Sequence, residues 1–80
     1  MALSMSTSAL AAQGTLYVYD QAYENPSGCY AVEDALVIVR NDTDEIAYFF
    51  DEPCCEGGLV EVVQPDTTSP VIGAQSFSIG

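Results

Sequence analysis

The chain contains no histidine and no lysine, and its one basic residue is Arg40. Those absences remove most of the catalytic repertoire. Neither a Ser-His-Asp triad nor a Cys-His pair can form, no lysine is present for a Schiff base, and no imidazole can bind a metal. Carboxylate pairs such as Asp51 with Glu56 retain acid–base chemistry, but nothing in so short a chain suggests a substrate cleft to hold them. The expectation is a protein that is not an enzyme. Long apolar runs are also missing: none approaches the roughly 20 residues of a membrane-spanning helix.

What remains is acidic. Twelve Asp and Glu against one Arg give a net charge of −11 over 80 residues. Such a surface repels nucleic-acid phosphates and anionic lipid, so neither nucleic acid nor membrane is expected as a partner. It suits a cationic protein or a charged cell-wall polymer, divalent ions, or a high-salt medium that screens self-repulsion. An acidic surface also simply keeps a small domain soluble. With 49% hydrophobic residues the chain can form a core. At this length that core is marginal unless stapled or oligomeric, and a monomer or weak dimer is expected.

The staple is available. Cys29, Cys54 and Cys55 are the only cysteines. Adjacent cysteines rarely bond to each other, because the small ring strains the peptide. The expected bridge therefore joins Cys29 to Cys54 or Cys55, closing a loop of about 25 residues that contributes roughly 3 kcal/mol. Zinc is disfavoured, since a fourth Cys or His is lacking. No cofactor is expected apart from the calcium considered below. A disulfide implies an oxidising compartment. Residues 1–12 (MALSMSTSALAA) are small and weakly apolar and end in an A-x-A pattern, as the tail of a signal peptide would. Asn41, Asp42 and Thr43 form an N-glycosylation sequon at Asn41, whereas Pro26 disables the one at Asn25. Together these cues point to a secreted protein. Residues 1–13 are read as a separate segment, a signal remnant or a loose or helical start, and 14–80 as a single domain.

From Gly14 onward the pattern is that of strands. Residues 15–20 (TLYVYD) alternate, 29–32 (CYAV) form a short strand, and 35–40 (ALVIVR) are almost wholly apolar, as in a strand covered on both faces. Residues 46–50 (IAYFF), 59–63 (LVEVV), 71–72 and 76–79 (SFSI) follow. Turns are expected at 24–28, 41–44 and 52–58, with a proline-held loop at 64–70. Short strands with turn signals about every 8–12 residues describe an all-β sandwich or barrel. A faint internal repeat runs strand, turn, glycine, strand in each half. The five tyrosines read as core-edge residues with wet hydroxyls, in preference to a ligand-stacking face.

The stretch FDEPCCEGG, taken with the rest of the chain after it, resembles a Greek-key motif of the βγ-crystallin family, whose pattern is an aromatic, a second aromatic, a glycine and, farther on, a serine. Phe50 takes the first aromatic position, Gly57 the glycine position and Ser78 the serine position. Cys55 stands in place of the second aromatic, which resembles the variant in small secreted microbial and fungal proteins with a disulfide-bonded turn. The resemblance covers residues 45–80 well and 14–44 only as a trace. It implies a compact Greek-key sandwich in which glycine permits a folded hairpin, an aromatic ring covers it and a serine ties it down. Many members bind calcium. The stretch that would supply their ligands holds Gly73 and Ala74 in the acid positions, so the only comparable cluster is the 41–45 turn, with Asn41, Asp42 and Asp44. Calcium takes about six to eight oxygens, and this turn supplies only part of that set. The leading expectation is a small secreted acidic module that binds through its surface, as effectors, toxins and inhibitors do. The alternative is a calcium-binding module using the 41–45 turn.

Overall fold

A computed structural model describes residues 11–80. The segment read as a signal remnant or a loose or helical start therefore lies largely outside the described residues. Eight strands run in order: β1 Gly14–Val18, β2 Gln21–Glu24, β3 Gly28–Ala31, β4 Leu36–Thr43, β5 Ala47–Glu52, β6 Glu56–Val63, β7 Thr67–Ile72 and β8 Ser76–Ile79. A single 3₁₀ turn, Pro53–Cys55, joins β5 to β6. The strands make two four-stranded antiparallel sheets, in the order β2-β1-β4-β7 and β3-β8-β5-β6. Each half of the chain thus keeps three strands in its own sheet and lends its third, β3 or β7, to the other.

Period-two alternation places the core between the sheets. Leu16 and Val18 of β1, Val37 and Val39 of β4, Phe49 of β5 and Phe77 of β8 are all buried. The rings of Phe49 and Phe77 lie 5.1 Å apart, and Tyr30 stacks on Phe77 at 5.1 Å with an interplanar angle of 17°. Such pairs add a fraction of a kcal/mol to about 1.5 kcal/mol each beyond the area they bury. Ala12 is fully buried, and its N–H donates to Pro26 O at 3.0 Å. The packed body therefore includes Ala12.

Several sequence expectations shift. The first strand ends at Val18, and Tyr19 with Asp20 forms a two-residue turn into β2. Tyr19 takes a positive φ of 57° there, a conformation that sequence pattern alone assigns to Gly or Asn. The strand β2 (QAYE) goes unannounced by the pattern, being mostly exposed at a sheet edge with little alternation. The 64–70 loop shrinks, because β7 starts at Thr67. Pro70 is tolerated within it because β7 is the edge strand of its sheet, where a missing N–H breaks no central ladder. Finally, β4 is covered on one face only. Val37 and Val39 point inward, while Leu36 and Ile38 are exposed.

Candidate functional site

The folded hairpin between β5 and β6 accounts for the cysteine-rich stretch. The disulfide joins Cys29 to Cys55, with Cα atoms 6.1 Å apart, and Cys54 is free and exposed. Cys54 and Cys55 both have positive φ, 64° and 57°, as does Gly57 at 81°. A Cβ on Gly57 would collide with the Asp51 carboxylate and press on Glu52, so glycine is required by both space and conformation. Asp51 Oδ1 accepts from Gly58 N at 2.9 Å, which gives this carboxylate a turn-holding role.

A serine does tie the hairpin down, but it is Ser76, one pleat away from Ser78. Ser76 Oγ accepts from Cys55 N at 2.8 Å and donates to Glu52 O at 2.6 Å, and the residue is fully buried. Ser78 lies half-buried opposite Cys29 and Tyr48. The two serines differ by two residues, so spacing in the sequence alone could not choose between them. Similarly, the fully buried ring of β5 is Phe49. Phe50 sits half-buried where the register to β6 shifts.

The Asn41, Asp42 and Asp44 group does not assemble. Asn41 through Thr43 belong to β4, so their side chains alternate between faces. Asn41 is fully buried, and its amide is saturated. Nδ2 donates to Glu45 O at 2.8 Å and Val63 O at 3.0 Å, while Oδ1 accepts from Thr43 N and Thr43 Oγ1. Asp42 pairs with Arg40 at 2.8 Å, and Asp44 accepts from Gln13 N. Asn41 is therefore a structural residue that staples β4 to β6, placed neither to ligate calcium nor to carry a glycan in the folded domain. Among the described residues no group of three His, Cys, Asp or Glu is placed to hold a metal ion.

The concave site lies in the first half of the chain. A cleft of about 630 Å³ opens between the β1–β2 turn and the β3–β4 connection, lined in part by Tyr19, Tyr23, Tyr30, Asp20, Glu33 and Asp34, with Val18, Val32 and Val37 behind them. A second hollow beside Tyr48 and Ser78 is about 330 Å³ and carries one carboxylate, Glu45. The tyrosines of the larger cleft are held in place. Tyr23 and Tyr30 meet edge to face at 5.0 Å, Tyr23 meets Phe77 at 5.3 Å, and the Tyr30 hydroxyl accepts from Ser27 N and donates to Ser27 O. The Tyr23 pKa is raised above 10.0, first by burial, then by Tyr30 and by the Glu33 charge. Its phenol therefore remains a neutral hydroxyl beside a carboxylate.

Aromatic rings combined with carboxylates make an environment for an organic cation. Ring faces attract an ammonium or guanidinium group, and nearby carboxylates add charge. The sequence carries a signal for this in two acid–tyrosine clusters, Tyr19, Asp20 and Tyr23, then Tyr30, Glu33 and Asp34. What it does not carry is the turn that brings them together. Comparison with protein-family models, curated proteins and solved structures finds no match.

Proposed function

We propose that this protein is a secreted, non-catalytic binding domain that recognises a cationic partner through the tyrosine-lined acidic cleft. The carrying observation is the cleft itself, in which Tyr19, Tyr23 and Tyr30 share one concave surface with Asp20, Glu33 and Asp34. A cation entering it meets ring faces and carboxylates together, and the two attractions add. The overall charge of −11 steers the partner toward the domain. The Cys29–Cys55 bridge supports an oxidising, extracellular setting.

The fold belongs to this reading as a double Greek key of βγ-crystallin type. Three features support it: the exchange of the third strand between halves, the folded hairpin with Gly57 at positive φ, and a buried serine tying that hairpin to the last strand. Cys55 replaces a second aromatic, and a covalent bond replaces ring packing. The test is a nuclear magnetic resonance titration of the labelled protein with tetralysine. Shifts should concentrate at residues 19–23 and 30–34 and weaken in Glu33→Gln/Asp34→Asn. Shifts scattered evenly over every carboxylate would contradict the reading.

A further inference from the structure

The outer face of the β2-β1-β4-β7 sheet carries an exposed apolar strip on an otherwise acidic, lysine-free protein. Leu36, Ile38 and Ile72 are 54%, 50% and 68% exposed, and Tyr19 is 62% exposed. Strand register makes them neighbours: Leu36 stands opposite Ile72, and Ile38 opposite Pro70. Tyr19 N donates to Ile38 O at 3.0 Å, so the strip runs directly into the β1–β2 turn. Tyr19 also lines the cleft, together with Asp20 and Asp34. The apolar strip and the acidic cleft therefore meet at Tyr19. At the strip's other end the one basic side chain of the sequence, Arg40, pairs with Asp42 and lies 5.3 Å from the Tyr17 ring centre. Contiguous exposed apolar surface of this kind marks an interaction site.

We infer that the partner is a polypeptide segment with a basic end and an apolar continuation, its cationic side chain in the cleft and its apolar side chains along Leu36, Ile38, Pro70 and Ile72. This rests on the cleft binding a cation and specifies what carries that cation. A cationic glycan matches the cleft but offers little to the strip. A second copy of the chain matches the strip but brings a further charge of −11 against the first.

The test uses two synthetic peptides. One has a lysine pair followed by alternating leucine and serine; the other has serine in place of every leucine. The leucine peptide should bind at least about tenfold more tightly by calorimetry, as burial of one or two aliphatic side chains provides. Ile38→Thr/Ile72→Thr, which keeps β-branched residues at exposed sites, should remove that advantage and leave the serine peptide unaffected. Equal affinity of the two peptides overturns the inference, while lysine-dependent shifts in the cleft would leave the binding reading standing. Loss of all shifts in the cleft defeats both. An oligomer of glucosamine that binds more tightly than the leucine peptide, or a dimer in sedimentation that Ile38→Thr/Ile72→Thr dissociates, also overturns it.

Discussion

The two halves of the chain open with topologically matching hairpins that are closed in different ways. In β1–β2 the turn is two residues long, and Tyr19 N–H finds a backbone acceptor, Ile38 O, at 3.0 Å. In β5–β6 the turn folds over itself, and Cys55 N–H finds a side-chain acceptor, Ser76 Oγ, at 2.8 Å. A backbone acceptor is present whatever the sequence, so the first turn leaves its side chains free, and they line the cleft. A side-chain acceptor depends on one residue. The second turn accordingly carries one end of the disulfide and the required glycine, and it is held by a buried serine of β8. One half is organised around an opening, the other around a closed turn.

The largest effect that sharpens this contrast is loss of the bridge. Cys29→Ala/Cys55→Ala should reduce stability by about 3–4 kcal/mol, from the entropy of the loop it closes. Cys54→Ser, at an exposed free thiol, should leave the urea midpoint unchanged. A comparable loss from both changes would place the bond at Cys54. Next is the serine pair. Ser76→Ala leaves the Cys55 N–H and the Glu52 carbonyl without their partner at a part-buried site and should cost about 1–2 kcal/mol, whereas Ser78→Ala should stay within about 0.5 kcal/mol. Equal losses would restore Ser78 to the tie-down role. On the open side, Tyr19→Ser removes an exposed ring from the cleft and should change stability by less than about 0.5 kcal/mol. Peptide affinity should fall all the same. A large loss of stability would show that the first hairpin, too, depends on its side chains.

The smallest effect lies at high pH. Tyr23 keeps its proton above 10.0 in the folded state, chiefly through burial and then through Tyr30 and Glu33. The folded chain therefore holds a proton that the unfolded chain releases. The stability this provides is present below about pH 10 and declines as pH rises through the folded pKa. Absorbance titration should show one tyrosine ionising above the ordinary phenol range, a step that Tyr23→Phe removes. Early ionisation of Tyr23 would mean that water reaches its hydroxyl freely.

The second half is more legible in the sequence than the first. Phe50, Cys55 and Gly57 mark the folded hairpin, because a positive-φ glycine and paired cysteines leave traces in the residue string. They miss the tie-down serine by one pleat, since Ser76 and Ser78 are separated by a single repeat of the strand. In the first half, Asn41 through Asp44 have turn composition yet lie mostly in a strand. Burial of the saturated Asn41 amide outweighs local propensity there. The cleft is least legible of all. It depends on a two-residue turn with tyrosine at positive φ and on a connection contributed by another segment, and alternation patterns encode neither. The apolar run of β4 does carry a message, but its uncovered face fits a partner where the pattern alone predicts a second layer.

The most direct test of the account is a calorimetric titration of tetralysine into three forms of the protein: wild type, Glu33→Gln/Asp34→Asn in the cleft, and Glu56→Gln/Glu61→Gln on the opposite hairpin. The two variants remove the same charge, so the account predicts that the first weakens binding at least about tenfold, as loss of paired charges does, while the second binds like wild type. Equal weakening by both would show that net charge alone attracts the peptide and that the cleft is not its site.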